Sequence, residues 1–166
     1  MSVKMNVILD ISKFSTEFLF FLEKKQNIVF DGIFTKIVYS NELFLMNGVY
    51  FQFPIKFMKM NENINKIYLS YHIYTKGNLE IVQSFMNLEF MILEQYKKMN
   101  NCNKKINNTL SKQLNSGNVK IFNSYRRPTE DMSAVSVNGH ACFIMKISGV
   151  WETNDEVGIT YKIYKC

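Results

Sequence analysis

Apolar and polar positions alternate with a period of two over much of the first 75 residues and again over the last 30. Phe51, Phe53 and Phe57 share one parity, with Tyr50 and Lys56 on the other. Ile67, Leu69 and Ile73 alternate with Tyr68, Ser70, His72 and Tyr74. Ile159, Tyr161 and Ile163 alternate with Thr160, Lys162 and Tyr164. The pattern predicts strands over 3–11, 28–30, 33–39, 43–46, 49–57 and 66–74. Asp31-Gly32 and Asn47-Gly48 are hairpin dipeptides, because glycine tolerates the positive φ of a type I′ turn. Residues 61–65 read as a polar loop.

Gly77-Asn78 ends the alternation, and the period becomes helical. Leu79, Val82, Phe85 or Met86, Glu89, Leu93 and Tyr96 recur every three or four positions, predicting a helix over 79–99. Lys97 and Lys98 suit the negative end of its dipole. A polar loop over 100–108, a short helix over 109–115 and a strand over 119–122 follow. The last prediction is a hairpin of 140–151 with 157–164 around Thr153 to Glu156. The chain therefore reads as one domain, 1–166, with a helix inserted between strands. The expected fold is mainly β, a closed or nearly closed β-barrel. An oligonucleotide-binding (OB) barrel fits this order, since its helix lies between its third and fourth strands. An α+β sandwich is the alternative.

Composition narrows the function classes. At 47% hydrophobic and 20% charged the chain is not wholly disordered, and 7 Gly and 2 Pro exclude a collagen-like chain or a linker. Phe, Tyr, Met, Ile, Asn and Lys are abundant, and Arg126 and Arg127 are the only arginines among 20 basic residues. Such usage points to an AT-rich genome, as in many insect viruses and some protists. Cys102, Cys142 and Cys166 form no CxxC pair, which argues against structural zinc and for a reducing compartment. No apolar run approaches the roughly 20 residues of a membrane span. The expectation is a soluble intracellular protein, in the host nucleus or cytoplasm if viral, with no membrane partner.

The net charge of +6 is unevenly placed. Residues 1–94 are neutral, with nine Lys against nine acids. Residues 95–127 hold Lys97, Lys98, Lys104, Lys105, Lys112, Lys120, Arg126 and Arg127 and no acid. A stretch like this can track a phosphate backbone by releasing counterions. Tyrosines on the polar side of the strands can stack bases without reading sequence. Catalytic patterns are missing. His72 and His140 lack partners at metal spacing, no phosphate-binding glycine loop occurs, and Glu152, Asp155 and Glu156 cluster in a predicted turn. The expectation is no enzyme and no cofactor.

Phe143-Ile-Met-Lys-Ile-Ser-Gly-Val-Trp151, an acidic turn, and Val157-Gly-Ile-Thr-Tyr-Lys-Ile-Tyr164 form a pattern. It resembles the closing hairpin of OB-fold single-stranded DNA-binding proteins of phages and large DNA viruses. Ser116-Gly-Asn-Val-Lys-Ile-Phe122 and the Arg-Arg-Pro at 126–128 extend the resemblance over about the last 60 residues. It implies a protein that coats single-stranded DNA during viral replication or recombination. Trp151, Lys162 and Tyr164 would lie near the groove, and Lys120, Arg126 and Arg127 would contact phosphates. The acidic tail by which many of those proteins recruit polymerase has no counterpart in Tyr161 to Cys166. Charge, aromatic parity and resemblance together nominate a nucleic-acid site of Tyr50, Lys56, Tyr68, Tyr74, Lys104, Lys105, Lys120, Arg126, Arg127, Trp151, Lys162 and Tyr164. The expected partner is single-stranded DNA, with RNA and a second copy of the chain as further candidates. The rival reading is a viral structural or host-interaction β-domain without catalysis.

Overall fold

A computed structural model describes residues 7–63, 66–122 and 134–166. After two short 3-10 turns at Ile11–Lys13 and Thr16–Phe18, β1 (Leu19–Gln26) and β2 (Ile33–Ser40) form an antiparallel hairpin. β3 (Leu45–Asn47) and β4 (Val49–Asn63) follow, then β5 (Lys66–Ser70). Helix α1 (Asn78–Asn100) leads to β6 (Lys105–Ile106), helix α2 (Thr109–Asn115) and β7 (Asn118–Phe122). The chain closes with β8 (Ala134–Glu152) and β9 (Glu156–Lys165).

Five strands complete a closed circuit of pairings: β4 with β5, β5 with β7, β7 with β9, β9 with β8, and β8 with β4. All are antiparallel except the β7–β9 contact, which is parallel. The alternation seen in the sequence decides which side faces in. Phe51, Phe53, Ile67, Leu69, Val119, Ile121, Phe143, Met145, Ile147, Ile159 and Ile163 are buried inside the circuit. Helix α1 presents Val82, Phe85, Leu88, Ile92 and Tyr96 to this core, with the Phe85 ring 4.9 Å from Phe53. The buried Asn78 side chain fastens its first turn, accepting from Lys56 N at 3.0 Å and donating to Lys56 O at 2.8 Å and His72 O at 3.0 Å.

β8 is the shared strand. Its middle lies between β4 and β9, and beyond an irregularity at Ile147/Gly149 its end lies between β2 and β9. The switch needs glycine. A Cβ at Gly149 would come 2.4 Å from Thr35 O and 2.6 Å from the Phe34 ring. β1, β2 and β3 thereby attach as a side sheet to one end of the circuit.

The inserted helix, the short helix and the closing hairpin all form as the sequence predicts. Several expectations change, and the strand predicted over 66–74 ends at Ser70. In the described part of the first predicted strand, Leu9 makes only a single bridge to Phe51 and Ile11 begins a 3-10 turn. Residues 28–30 lie in the loop of the first hairpin, and the partner of β2 is the apolar run from Leu19. Asn47-Gly48 does not make a hairpin: β3 pairs with β2 and β4 with β8. Gly48, at φ +82° and with the Ile147 carbonyl 2.6 Å from where a Cβ would sit, marks the handover between those neighbours. Finally, the 61–65 loop is shorter, because β4 pairs with β5 as far as Asn63. Counted from β4, α1 lies between the second and third strands of the circuit, not the third and fourth.

Candidate nucleic-acid interface

The outward positions of the circuit bring lysines and aromatic rings from five strands together. Register places Tyr50 beside Lys146, and Lys146 beside Lys162. Tyr68 lies beside Lys120. The next row runs from Gln52 through Ile144, Tyr164 and Phe122 to Lys66. Phe122 is the hub. Its ring lies 6.3 Å from that of Tyr164, and the Lys120 and Lys162 ammonium groups sit 5.0 and 5.4 Å from its centroid. Lys146 stands 5.4 Å from the Tyr50 centroid. Tyr68 is 46% exposed, so its ring is open to a ligand.

No carboxylate interrupts these rows among the described residues. Gln52, Asn61, Ser70, Asn118, Ile144 and Thr160 on the same side are uncharged, and Lys59, beside Ser70, adds a further cation. The four lysines therefore have aromatic faces for neighbours and no ion-pair partner in these rows. An ammonium over a ring holds its charge at a surface, where a phosphate can meet it.

The predicted residues fall into three groups. Tyr50, Tyr68, Lys120, Lys162 and Tyr164 belong to this face. Lys56 is exposed farther along β4, opposite His140. Trp151 lies toward the β2 end of the same face, half-buried, with its ring over Gly158 and its Nε1 donating to Ile159 O at 3.2 Å. Its packing explains its position, so stacking on a ligand is not needed to account for it. Tyr74, 81% exposed, stands in the turn beyond β5. Lys105 belongs to β6, beside Glu156. Arg126 and Arg127 lie outside the described residues.

Lys104 is placed by different chemistry. Its Nζ donates to Glu152 Oε2 at 2.7 Å, while Lys24 Nζ donates to Glu152 Oε1 at 2.9 Å. The Tyr96 hydroxyl donates to the same Oε1, and Thr35 Oγ1 lies 3.0 Å from that hydroxyl. Burial alone would raise the Glu152 carboxyl, yet hydrogen bonds from Lys104, Tyr96 and Lys24 outweigh it and bring it down to about 2. Burial, with the bond to Glu152, pushes the Tyr96 phenol above its ordinary value. A carboxylate saturated by three donors and held ionised is a poor general base. This centre ties α1, β1, β8 and the 101–104 loop together.

The basic stretch over 95–127 is thus not one surface. Lys97 and Lys98 end α1, Lys104 is committed to Glu152, Lys112 lies on α2, and Lys120 alone of the described members reaches the open face. Lys66, Phe122 and Lys146 were missed. The available signal was strand parity: Lys66 shares it with Tyr68, Phe122 with Lys120, and Lys146 faces Lys162 across the closing hairpin.

Among the described residues no group of three or more His, Cys, Asp or Glu is placed to hold a metal ion. No described helix is long and apolar enough to cross a membrane. Compared with family models, curated proteins and solved structures, the chain matches none of the three.

Proposed function

We propose that this protein binds single-stranded nucleic acid without reading its sequence, through the outward face of β4, β5, β7, β8 and β9. The observation that carries the proposal is the lattice of Lys66, Lys120, Lys146 and Lys162 around Tyr50, Tyr68, Phe122 and Tyr164, free of acids among the described residues. Lysines neutralise phosphates and release counterions, while rings stack bases, and neither needs a particular base. The five-strand circuit supports an OB-type barrel as the framework. In OB folds the second and third strands and the loops beside them bind oligonucleotides. Here α1 separates β5 from β7, so the strand count differs from an OB barrel's, and what supports the reading is the side chains those two strands carry, Lys66, Tyr68, Lys120 and Phe122. Coating of single-stranded DNA in viral replication or recombination is the role this reading gives the protein, and no catalysis is required for it.

The test is fluorescence anisotropy with labelled single-stranded and duplex oligonucleotides over a range of salt. Single strands bind more tightly, and four neutralised phosphates give log K against log salt a slope of about −3. Absence of binding to any oligonucleotide at low salt overturns the proposal.

A second reading, a protein-interaction domain, has its own observation. Ile28, Val29, Leu43 and Leu45 are 100, 91, 89 and 69% exposed around the side sheet, and Phe20 and Leu22 of β1 are about half exposed. If this reading holds, polar substitution at Ile28 and Val29 changes self-association in analytical ultracentrifugation and leaves oligonucleotide binding unaltered.

A further inference from the structure

The three cysteines are free thiols, and two of them are neighbours. The β8–β9 register, which pairs Phe143 with Lys165, brings Cys166 opposite Cys142 one step beyond. Cys166 N donates to Cys142 O at 3.1 Å, so the two backbones are already hydrogen-bonded. The two sulfurs lie 2.9 Å apart, with Cys166 Sγ donating to Cys142 Sγ. Gln52 Nε2 donates to the same Cys142 sulfur at 2.9 Å. Cys166 is exposed and Cys142 half-buried, so a small oxidant has access. Hydrogen-bonded antiparallel pairs hold their Cα atoms about 5.5 Å apart, inside the range of about 4.4–6.8 Å that disulfides span.

We propose that Cys142 and Cys166 form a reversible disulfide across β8 and β9. Cys142, whose sulfur faces both Cys166 and Gln52, attacks first, losing its proton as it does so. It displaces one thiolate from a low-molecular-weight disulfide such as oxidised glutathione and forms a mixed disulfide. The Cys166 thiol then loses its proton, attacks the Cys142 sulfur and expels the second thiolate. Two protons and two electrons leave the protein, and the small disulfide is reduced to two thiols. Tyr164 precedes Cys166 by two residues and Ile144 follows Cys142 by two, and those two residues are register partners. The bond therefore clamps the strand end that presents Tyr164. Its formation does not depend on whether the face binds nucleic acid.

The test equilibrates the full chain in glutathione buffers of rising oxidised fraction, followed by alkylation, intact mass and thermal unfolding. A mass loss of about 2 Da, one alkylatable thiol at Cys102 and a linked Cys142–Cys166 peptide are expected. The midpoint of unfolding rises by about 5–10 °C and returns with dithiothreitol, as closing a loop of this length restrains the unfolded chain. Cys102→Ser keeps both effects, and Cys166→Ser, at an exposed position, abolishes both. Stable glutathione adducts without the internal link, three alkylatable thiols in excess oxidised glutathione, or an unfolding shift that persists in Cys166→Ser each overturn the proposal.

Discussion

Two clusters in this protein are built from the same kinds of side chain and do opposite things. Around Glu152, Lys24 and Lys104 meet Tyr96 and Thr35 in a buried centre. On the outward face, Lys120 and Lys162 meet Phe122, Phe122 meets Tyr164 and Lys146 meets Tyr50, with Lys66 and Tyr68 beside Phe122 and Lys120 in register. The difference is one carboxylate. Glu152, 3% exposed, gives the first set an internal counter-charge and closes it. The second set has no acid within its rows among the described residues, so its charge is left open to an external anion. A second carboxylate makes the same point in neutral company. Buried Glu89 of α1 accepts from Leu110 N at 3.0 Å, from Ser111 N at 2.8 Å and from the Ser111 hydroxyl, capping α2 from across the fold. Inside this molecule carboxylates organise structure, and at the open face their absence leaves charge to spare.

The strongest way to break the comparison is Glu152→Ala. Two ammonium groups and a phenol then share a partly buried site with no anion, at a cost of about 3–5 kcal/mol in chemical denaturation. The same centre sets an acid limit. Because the folded carboxyl is brought down to about 2, its contribution is complete above the ordinary carboxylate range near 4.5 and fades as pH falls toward 2. Stability curves of the wild type bend downward in that window, and those of Glu152→Gln stay flatter there.

Glu89→Ala ranks next. It strands the first amide groups of α2 and costs about 2–3 kcal/mol by the same measurement, with no change in oligonucleotide affinity. On the open face the consequences reverse. Tyr68→Ala or Phe122→Ala weakens single-strand binding by about 1–3 kcal/mol for each base unstacked. For Tyr68→Ala, an exposed position, the unfolding midpoint stays put.

A sharper contrast uses two lysines that look alike in the sequence. Lys120→Met lowers the magnitude of the salt slope by about 0.7 and leaves stability alone. Lys104→Met lowers stability and leaves the slope alone, since its charge is spent on Glu152. The smallest effect belongs to Tyr74→Ser. Its ring stands apart in a turn, so affinity and stability both change by less than about 0.5 kcal/mol. If Lys104→Met instead flattens the salt slope, the division between the two clusters is wrong.

Much of this was legible beforehand because it is local. The period-two runs of β4, β5 and β9 and the helical period of α1 depend only on which side of an element is buried. For the same reason Tyr50, Tyr68, Lys162 and Tyr164 could be assigned to polar faces without knowing their neighbours. The run from Leu19 to Gln26 was harder. Only its first residue is fully buried, so it carries little alternation, and pairing with β2 makes it a strand.

Pairing was decided by the closed circuit. Asn47-Gly48 has the chemistry of a hairpin turn, yet β4 pairs with distant β8 from Val49 to Glu62 while β3 is only three residues long, and the glycine serves as a junction. Charge followed the same rule. A lysine's role depends on whether a carboxylate lies within about 4 Å, and Lys104 meets Glu152 only after the chain has returned through β6, α2, β7 and β8. The sequence by itself determined the elements, their buried sides and the excess of positive charge. The tertiary structure alone decided which lysines that excess comprises, because ion pairing is a property of distance in space and not of position along the chain.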